Sequence, residues 1–370
     1  FHDGIPGDAA RVLELCHLAR LALEEGDRDL ALNLLLGAAL RCWWADTGPD
    51  ARAAVAQAVT ELDEQDDPRW VAALAVAEPV LAANEVFERL DEIALELVTD
   101  ANALRLLGMA AHAIGDTARA SELLHRSEDL LRGEGRLGLL TQVLGMQVHI
   151  ELELGEWARA DAATAECIWL ANETGQANWN TGAIAVDARS YALRGDAERA
   201  LELAAEAELA ASRKRLNDYL CLVQLARGVA LIGTGEHREA YRYLRKVFDP
   251  SDPSYHWREG YCAIAFLAEA AVGAGELDDA RRVLAELEAL ATITCSPLLR
   301  AHLRYARAVL APDAEAEALF EAAGAEDLRR WPWPRARMEL AHGRWLLGQG
   351  RAAEARPLLI HAHQTLDVLG

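Results

Sequence analysis

The sequence predicts an all-α protein, a right-handed superhelix (α-solenoid) of paired helices with a period of about 40 residues. Three observations carry this. A six-residue stretch recurs as GDTARA at Gly115, GEWARA at Gly155, GDAERA at Gly195, GEHREA at Gly235 and GELDDA at Gly275, so that successive glycines stand 40 residues apart. GDRDLA at Gly26 and GRAAEA at Gly350 are outlying copies. An alanine follows each glycine five residues later, at Ala31, Ala120, Ala160, Ala200, Ala240, Ala280 and Ala355. A second small column lies seven residues before the glycine, at Ala19, Gly108, Ala188, Gly228, Ala268 and Gly343, with Val148 as its larger member.

Each feature has a physical reading. Glycine ends a helix because it enters the left-handed region without a Cβ penalty. The acid after it (Asp27, Asp116, Asp196, Glu156, Glu236, Glu276) suits the start of the next helix. Aspartate caps free N–H groups there, and either acid favours the positive dipole end. The alanine marks the closest approach of two antiparallel helices. Small, turn, small resembles the tetratricopeptide repeat, in a long variety, since the standard unit has about 34 residues.

Taken in order, residues 8–26 form an amphipathic helix and residues 27–44 its partner, closed by Cys42, Trp43 and Trp44. Asp46 to Asp50 has turn chemistry. Residues 50–64 are helical by composition, and Pro68 opens another helix at a tolerated N-terminal position. Gly26 and Gly115 are separated by about two periods plus extra length, and Pro79 interrupts the pattern. Residues 1–98 are therefore an irregular N-terminal region. Residues 99–295 are the regular array, with polar linkers at 132–135, 172–175, 212–215 and 249–253. Residues 296–370 hold a degenerate unit (first helix 297–310, turn at 311–313) and a capping unit that opens at Trp331, turns at Gly350 and ends near Leu369.

Composition narrows the function. Net charge is −22, with 59 acids against 37 bases. Such a surface repels nucleic-acid phosphates and anionic lipid, so neither direct nucleic-acid binding nor membrane association is expected. Six cysteines without a CxxC pair suggest free core thiols in a reducing cytosol, hence a cytoplasmic location. No apolar run is long enough to span a bilayer, and no signal peptide opens the chain. The chain starts at Phe1 and ends at Gly370, as expected of a segment of something longer. HExxH, GxSxG and a Cys-His-Asp pattern are all missing, so no enzyme is expected. His361 and His363 diverge on a helix and make a poor metal pair.

A closer resemblance lies in LLLGAALRCWWAD (34–46) and WPWPRARMELAHGRWLLGQGRAAEARPLL (331–359). Together with RLGLLTQVL (136–144), FDPSDPSYH (248–256) and LAELEAL (284–290), these are similar to the helical-repeat region of large ATP-binding LuxR-family transcriptional regulators, the group that includes the maltose-responsive activator. The resemblance covers essentially the whole chain. It implies a ligand-sensing and oligomerisation arm, with self-association in the full-length regulator. In that family an ATPase precedes the repeats and a helix-turn-helix follows. Neither GxxxxGK[ST] nor a basic recognition helix occurs here, so no cofactor is expected in this piece, ATP belonging to the family's ATPase.

The repeat register projects a concave face. Positions 13, 10, 6 and 3 before the glycine should point inward: Gln142, Gly145, His149 and Leu152; Gly182, Ala185, Arg189 and Ala192; Leu222, Leu225, Val229 and Ile232; Cys262, Ala265, Glu269 and Val272. This groove is mostly apolar and suits a small organic effector or an amphipathic partner segment. Trp179 and Tyr219 stand 16 residues before a glycine and should stack in adjacent repeats. Tyr255, Trp257 and Tyr261 should lie at the mouth of the next one. Ordinary packing between helix ends explains these aromatics equally well. Eight residues before the glycine, Gln147, Asp187 and Arg227 form a polar column, with Gln224 one turn earlier. Asp187 and Arg227 are expected to pair across repeats, either as a structural ion pair or as a polar floor under a ligand. His149 and Arg189 complete the candidate set.

Two functions compete. One is the sensor module of a LuxR-type regulator, binding a small-molecule effector or a partner protein. The other is a free-standing scaffold that binds a peptide or partner protein. Peptide-carboxylate clamps in such scaffolds need a Lys/Arg/Asn cluster, which the projected face lacks.

Overall fold

The computed structural model describes residues 7–63, 65–294, 296–324, 328 and 331–369. Among these it has nineteen α-helices and no strand: α1 Ala9–Glu24, α2 Arg28–Trp44, α3 Pro49–Thr60, α4 Pro68–Ala77, α5 Ala83–Glu92, α6 Ala101–Ala113, α7 Thr117–Glu134, α8 Leu137–Leu154, α9 Trp157–Glu173, α10 Ala177–Leu193, α11 Ala197–Lys214, α12 Asn217–Thr234, α13 His237–Lys246, α14 Gly260–Ala274, α15 Leu277–Ala291, α16 Pro297–Leu310, α17 Asp313–Gly324, α18 Pro332–Gly348 and α19 Ala352–Leu369. The chain is a tetratricopeptide-like helical-repeat solenoid.

The turns follow from glycine chemistry. All seven motif glycines have φ between 76° and 85°. After each, an amide bonds back five residues to close the helix end, as in Asp116 N to Ala111 O at 2.9 Å and Glu236 N to Leu231 O at 2.9 Å. Asp27, Asp116 and Asp196 accept from the amides of Leu30, Arg119 and Arg199 at 3.0, 3.3 and 3.1 Å. Glu156, Glu236 and Glu276 make no such bond, because the extra methylene carries the carboxylate past the amide. The linkers between repeats have their own left-handed column at Gly135, Gly175 and Arg215, again 40 apart, with φ of 67°, 69° and 53°. Arg215 is the one non-glycine residue at positive φ among the described residues.

The alanine column is buried throughout. The glycines of the second column receive a leucine sixteen residues later: a Cβ on Gly108, Gly228 or Gly343 would lie 2.7, 2.3 or 2.7 Å from Leu124, Leu244 or Leu359. Where that column carries Val148, the corresponding position holds Thr164 instead of leucine.

The even-numbered helices form an inner row, each packed on the next from α2 to α18. From Gly115 onward, the inner helix is the one before the motif glycine, as projected. At Gly26 it is the one after. Five helices, α2 to α6, lie between Gly26 and Gly115, where two regular periods would supply four. The extra helix inverts the phase, so α2 and α4 line the interior in place of α1 and α3. All eight residues from Trp70 to Ala77 of α4 are buried as a result.

The winding is tight enough for distant repeats to touch. Trp331 Nε1 donates to Thr117 Oγ1 at 3.0 Å, Asn84 Nδ2 to Ile293 O at 3.2 Å, and the Trp157 and Trp333 rings are 5.7 Å apart. These contacts join repeats that are remote in sequence across the superhelix. Cys16, Cys42, Cys167, Cys221 and Cys262 are free and buried, while Cys295 falls outside the described residues. No described helix is long and apolar enough to cross a membrane.

Two substitutions test this register. Ala200→Leu adds bulk at a fully buried helix contact and is expected to destabilise by about 1–3 kcal/mol in denaturant unfolding. A neutral result would contradict the contact. Arg215→Gly relieves a left-handed non-glycine residue and should stabilise by about 0.5–1 kcal/mol; a loss of stability would contradict a strain larger than glycine's unfolded-state entropy.

Candidate functional site

The inner helices α2, α4, α6, α8, α10 and α12, with Glu259, surround a cavity of about 300 Å³. Helical spacing places its polar groups. Arg105, Met109 and His112 share one face of α6, and Gln142, Met146 and His149 share one face of α8. Seven residues separate the ends of each set, roughly 10 Å along a helix. The cavity therefore has two poles. At one, Arg105 donates to Gln142 Oε1 at 3.1 Å. At the other, the His112 and His149 rings are 5.8 Å apart, beside Asp218 and Glu259.

Aromatic rings form the wall between the poles, and glycines make room for them. A Cβ on Gly145 would lie 2.4 Å from the Trp179 ring, and one on Gly182 would lie 2.6 Å from Tyr219. Trp179 meets Trp44 edge to face at 6.0 Å. Trp43 closes the seam between α2 and α12 by donating its indole N–H to Asp218 Oδ2 at 3.0 Å.

A hydrogen-bonded cluster backs this seam. His256 Nε2 lies 2.9 Å from the Trp43 carbonyl, which can only accept, so this nitrogen carries the proton. His256 Nδ1 then accepts from the Glu259 amide at 3.3 Å. Arg258 pairs with Glu259 at 2.6 Å and donates to His112 O at 2.9 Å and Ala113 O at 3.3 Å, the last carbonyls of α6. Ligand-type atoms of Asp218, His256 and Glu259 lie within 4.8 Å of one another. Both His256 nitrogens are engaged and Glu259 is held by Arg258, so this donor set does not fit a metal ion.

Burial sets the charges. It pushes His149 down to about 4, and, with Arg258 near, His112 well below its ordinary value. Burial, then the Glu259 charge, lifts Asp218 to about 8. Burial also raises Glu259, but Arg258 overrides it and holds the carboxyl at about 2. Arg105 is lowered to about 10 by burial and by Arg136, and stays cationic at neutral pH. The histidine pole is thus electrically balanced and the Arg105 pole is positive.

Of the sequence candidates, Gln142, His149, Trp179 and Tyr219 line the cavity. Arg189 lies deeper. It pairs with Glu153, whose second oxygen is 3.9 Å from His302 Nε2. A narrow void of about 10 Å³ separates this group from His112 and His149.

The polar column faces the other way. Gln147 Nε2 donates to Glu128 of α7 at 2.8 Å, Gln224 Nε2 to Glu208 of α11 at 3.4 Å, and Arg227 to both Glu208 oxygens at 2.8 and 2.7 Å. The expected Asp187–Arg227 pair does not form. Asp187 is raised by burial and by Asp161, with Arg199 and Arg194 as its opposing charges. Position eight before the glycine points at the preceding outer helix, away from the axis. Trp257 stacks on His256 at 5.7 Å, with the Arg52 guanidinium 4.5 Å from its ring centroid, outside the cavity lining. Tyr255 is half-buried outside it as well, and Tyr261 borders a separate void of about 20 Å³.

Trp43, Trp44, Arg105, His112, Asp218 and Glu259 were not among the candidates. Arg105 and His112 stand 10 and 3 residues before Gly115, the projected inward offsets, so the same rule applied one repeat earlier finds them. The tryptophans were hidden by the phase inversion.

Asp218 supplies a pH test. Its folded-state pKa lies above its unfolded value, so its protonated form favours the native state at low pH, and this contribution is lost as pH rises through about 8. Denaturant midpoints of wild type relative to Asp218→Asn should fall between about pH 4 and pH 8. A difference that stays flat with pH would contradict the assignment.

No protein-family model and no curated protein matches this sequence. Solved structures do. A crystal structure of a Rap protein complexed with competence and sporulation factor has a TM-score of 0.64 at 12% identity, covering 92% of this chain and 99% of that one. The apo form of RapI has a TM-score of 0.50 at 12% identity, covering 96% and 98%. The apo form of the quorum sensor NprR from B. thuringiensis has a TM-score of 0.50 at 13% identity, covering 90% and 97%. At this identity the likeness is one of fold: this chain shares the helical-repeat architecture of those proteins.

Proposed function

We propose that the chain is the effector-sensing repeat module of a LuxR-type transcriptional regulator, cytoplasmic and without catalysis or cofactor of its own. The observation that carries the reading is the axial cavity, whose wall is built from tryptophan and tyrosine rings seated on Gly145 and Gly182. A volume of about 300 Å³, mostly apolar with a few convergent polar groups, suits a small organic molecule or the end of a short segment. The likeness to a Rap protein complexed with competence and sporulation factor, and to a quorum sensor, supports a signal-receiving role for this fold.

The seam gives binding a consequence. Trp43 of α2 and Asp218 of α12 are 175 residues apart and meet at the cavity. A ligand that prefers one spacing of these helices shifts the superhelix between states, by no more than its differential affinity. In the family that the sequence resembles, an ATPase precedes the repeats and a helix-turn-helix follows them, and in such a protein the shift would be read there. The alternative, a free-standing scaffold that takes a peptide or partner protein, would use the same cavity.

A thermal-shift screen of metabolites tests the reading. A specific binder at 100 times its Kd adds about 2.7 kcal/mol to stability. Trp179→Ala should lose that shift, while Arg227→Ala, altered on the face turned from the axis, should keep it. A shift that survives in Trp179→Ala, or disappears in a folded Arg227→Ala, would place the site elsewhere.

A further inference from the structure

The cavity contains a cation whose charge no group among the described residues neutralises. The Arg105 guanidinium is held by amide oxygens alone: Nε and NH2 donate to Asn102 Oδ1 at 3.1 and 2.9 Å, and NH1 donates to Gln142 Oε1 at 3.1 Å. No carboxylate among the described residues pairs with it. Arg136, the charge that bears on it most, is another cation. This is unusual in a chain with 59 acids and 37 bases. Among the described residues, the other arginines buried around the axis have an acid: Arg189 has Glu153, Arg258 has Glu259 and Arg337 has Glu269.

The geometry is that of a prepared anion site. Asn102 and Gln142 fix the plane of the guanidinium, and of its five N–H groups one on each terminal nitrogen remains without a partner among the described residues. A carboxylate can accept charge-assisted bonds from these N–H groups. From this pole the aromatic wall of Trp44 and Trp179 leads toward the histidine pole. That far end offers neutral imidazoles and a carboxylate already matched to Arg258, so it does not call for a second anion.

We propose that the cavity selects a carboxylate carried on an aromatic or aliphatic body, with the carboxylate on Arg105 and the body against Trp44, Trp179 and Met146. The proposal rests on the effector-pocket reading and names the ligand's chemical class. The carboxylate has two sources, a free aryl-alkanoic acid or the C-terminus of a short apolar peptide.

Calorimetric titration separates the outcomes. The probes are indole-3-acetate, 3-phenylpropionate and 4-phenylbutyrate, each with its primary amide, and the dipeptide Leu-Phe with a free or an amidated C-terminus. The acids, or the free dipeptide, should bind about tenfold or more tighter than their amides. Arg105→Gln should bring acid and amide to the same affinity without weakening the amide, and Arg105→Lys should restore part of the gap. The tighter of the two acid classes identifies the source. Amides that bind as well as acids, or a gap that persists in Arg105→Gln, would overturn this proposal and leave the pocket reading standing. Failure of every acid and amide to bind would overturn both. Circular dichroism shows whether Arg105→Gln is folded; if it is not, the wild-type acid-to-amide ratio and Arg105→Lys decide.

Discussion

The Arg258–Glu259 ion pair joins three parts of the chain that are remote in sequence. Glu259 is buried at the start of α14, and Arg258 reaches from it to the last carbonyls of α6, 146 residues earlier. The guanidinium also lies 6.0 Å from the ring centroid of Trp43. A helix C-terminus carries partial negative charge, so the cation serves the carboxylate and the helix end together. Separating them would leave a buried carboxylate and unpaired carbonyls, which costs several kcal/mol. The superhelix therefore cannot unwind at this level without exposing charge to apolar surroundings. The spacing that results is the spacing of the cavity.

Similar pairs are layered around the axis. Glu153 joins Arg189, and Glu269 joins Arg337 and Tyr305. Arg337 also sits over Phe266 at 3.9 Å and Tyr305 at 4.8 Å. Each couples inner helices that belong to different repeats. Alanine and glycine columns bring neighbouring helices together by shape, and these charges join inner helices of different repeats by electrostatics. Glycine serves both purposes, by face. Gly108, Gly228 and Gly343 accept a leucine from the following outer helix, whereas Gly145 and Gly182 accept a ring from the next inner helix. The first use tightens the repeat. The second seats the aromatic wall.

What recurs was legible in the sequence. The seven glycine turns, the buried alanine column and the ends of α16, α18 and α19 follow from periodic spacing and cap chemistry. The region between Gly26 and Gly115 was not, because α3, α4 and α5 leave no recurring turn and the extra helix reverses which face looks inward. Trp43 and Trp44 therefore read as a closing contact when they are cavity wall. The polar column was misread for a different reason. Arg227 pairs with Glu208 nineteen residues earlier, as Gln147 does with Glu128 and Arg307 with Glu288. That interval is visible in the sequence once the outer helix is recognised as the partner. At Asp187 the matching position is Ile168, which cannot pair with it. Contacts between windings, such as Trp43 with Asp218, depend on the pitch of the superhelix, which no local pattern encodes.

The proposed receptor chamber lies on the axis of this solenoid and has a positive end. A crystal structure of the protein soaked with 5-bromoindole-3-acetate tests it most directly, because anomalous scattering locates the bromine independently of the fit of the organic part. One strong peak is expected between Trp44, Trp179 and the histidine pole, with the carboxylate on Arg105. A peak on the outer helices, a carboxylate turned toward Asp218 and Glu259, or inner helices packed so closely that no chamber remains would contradict it.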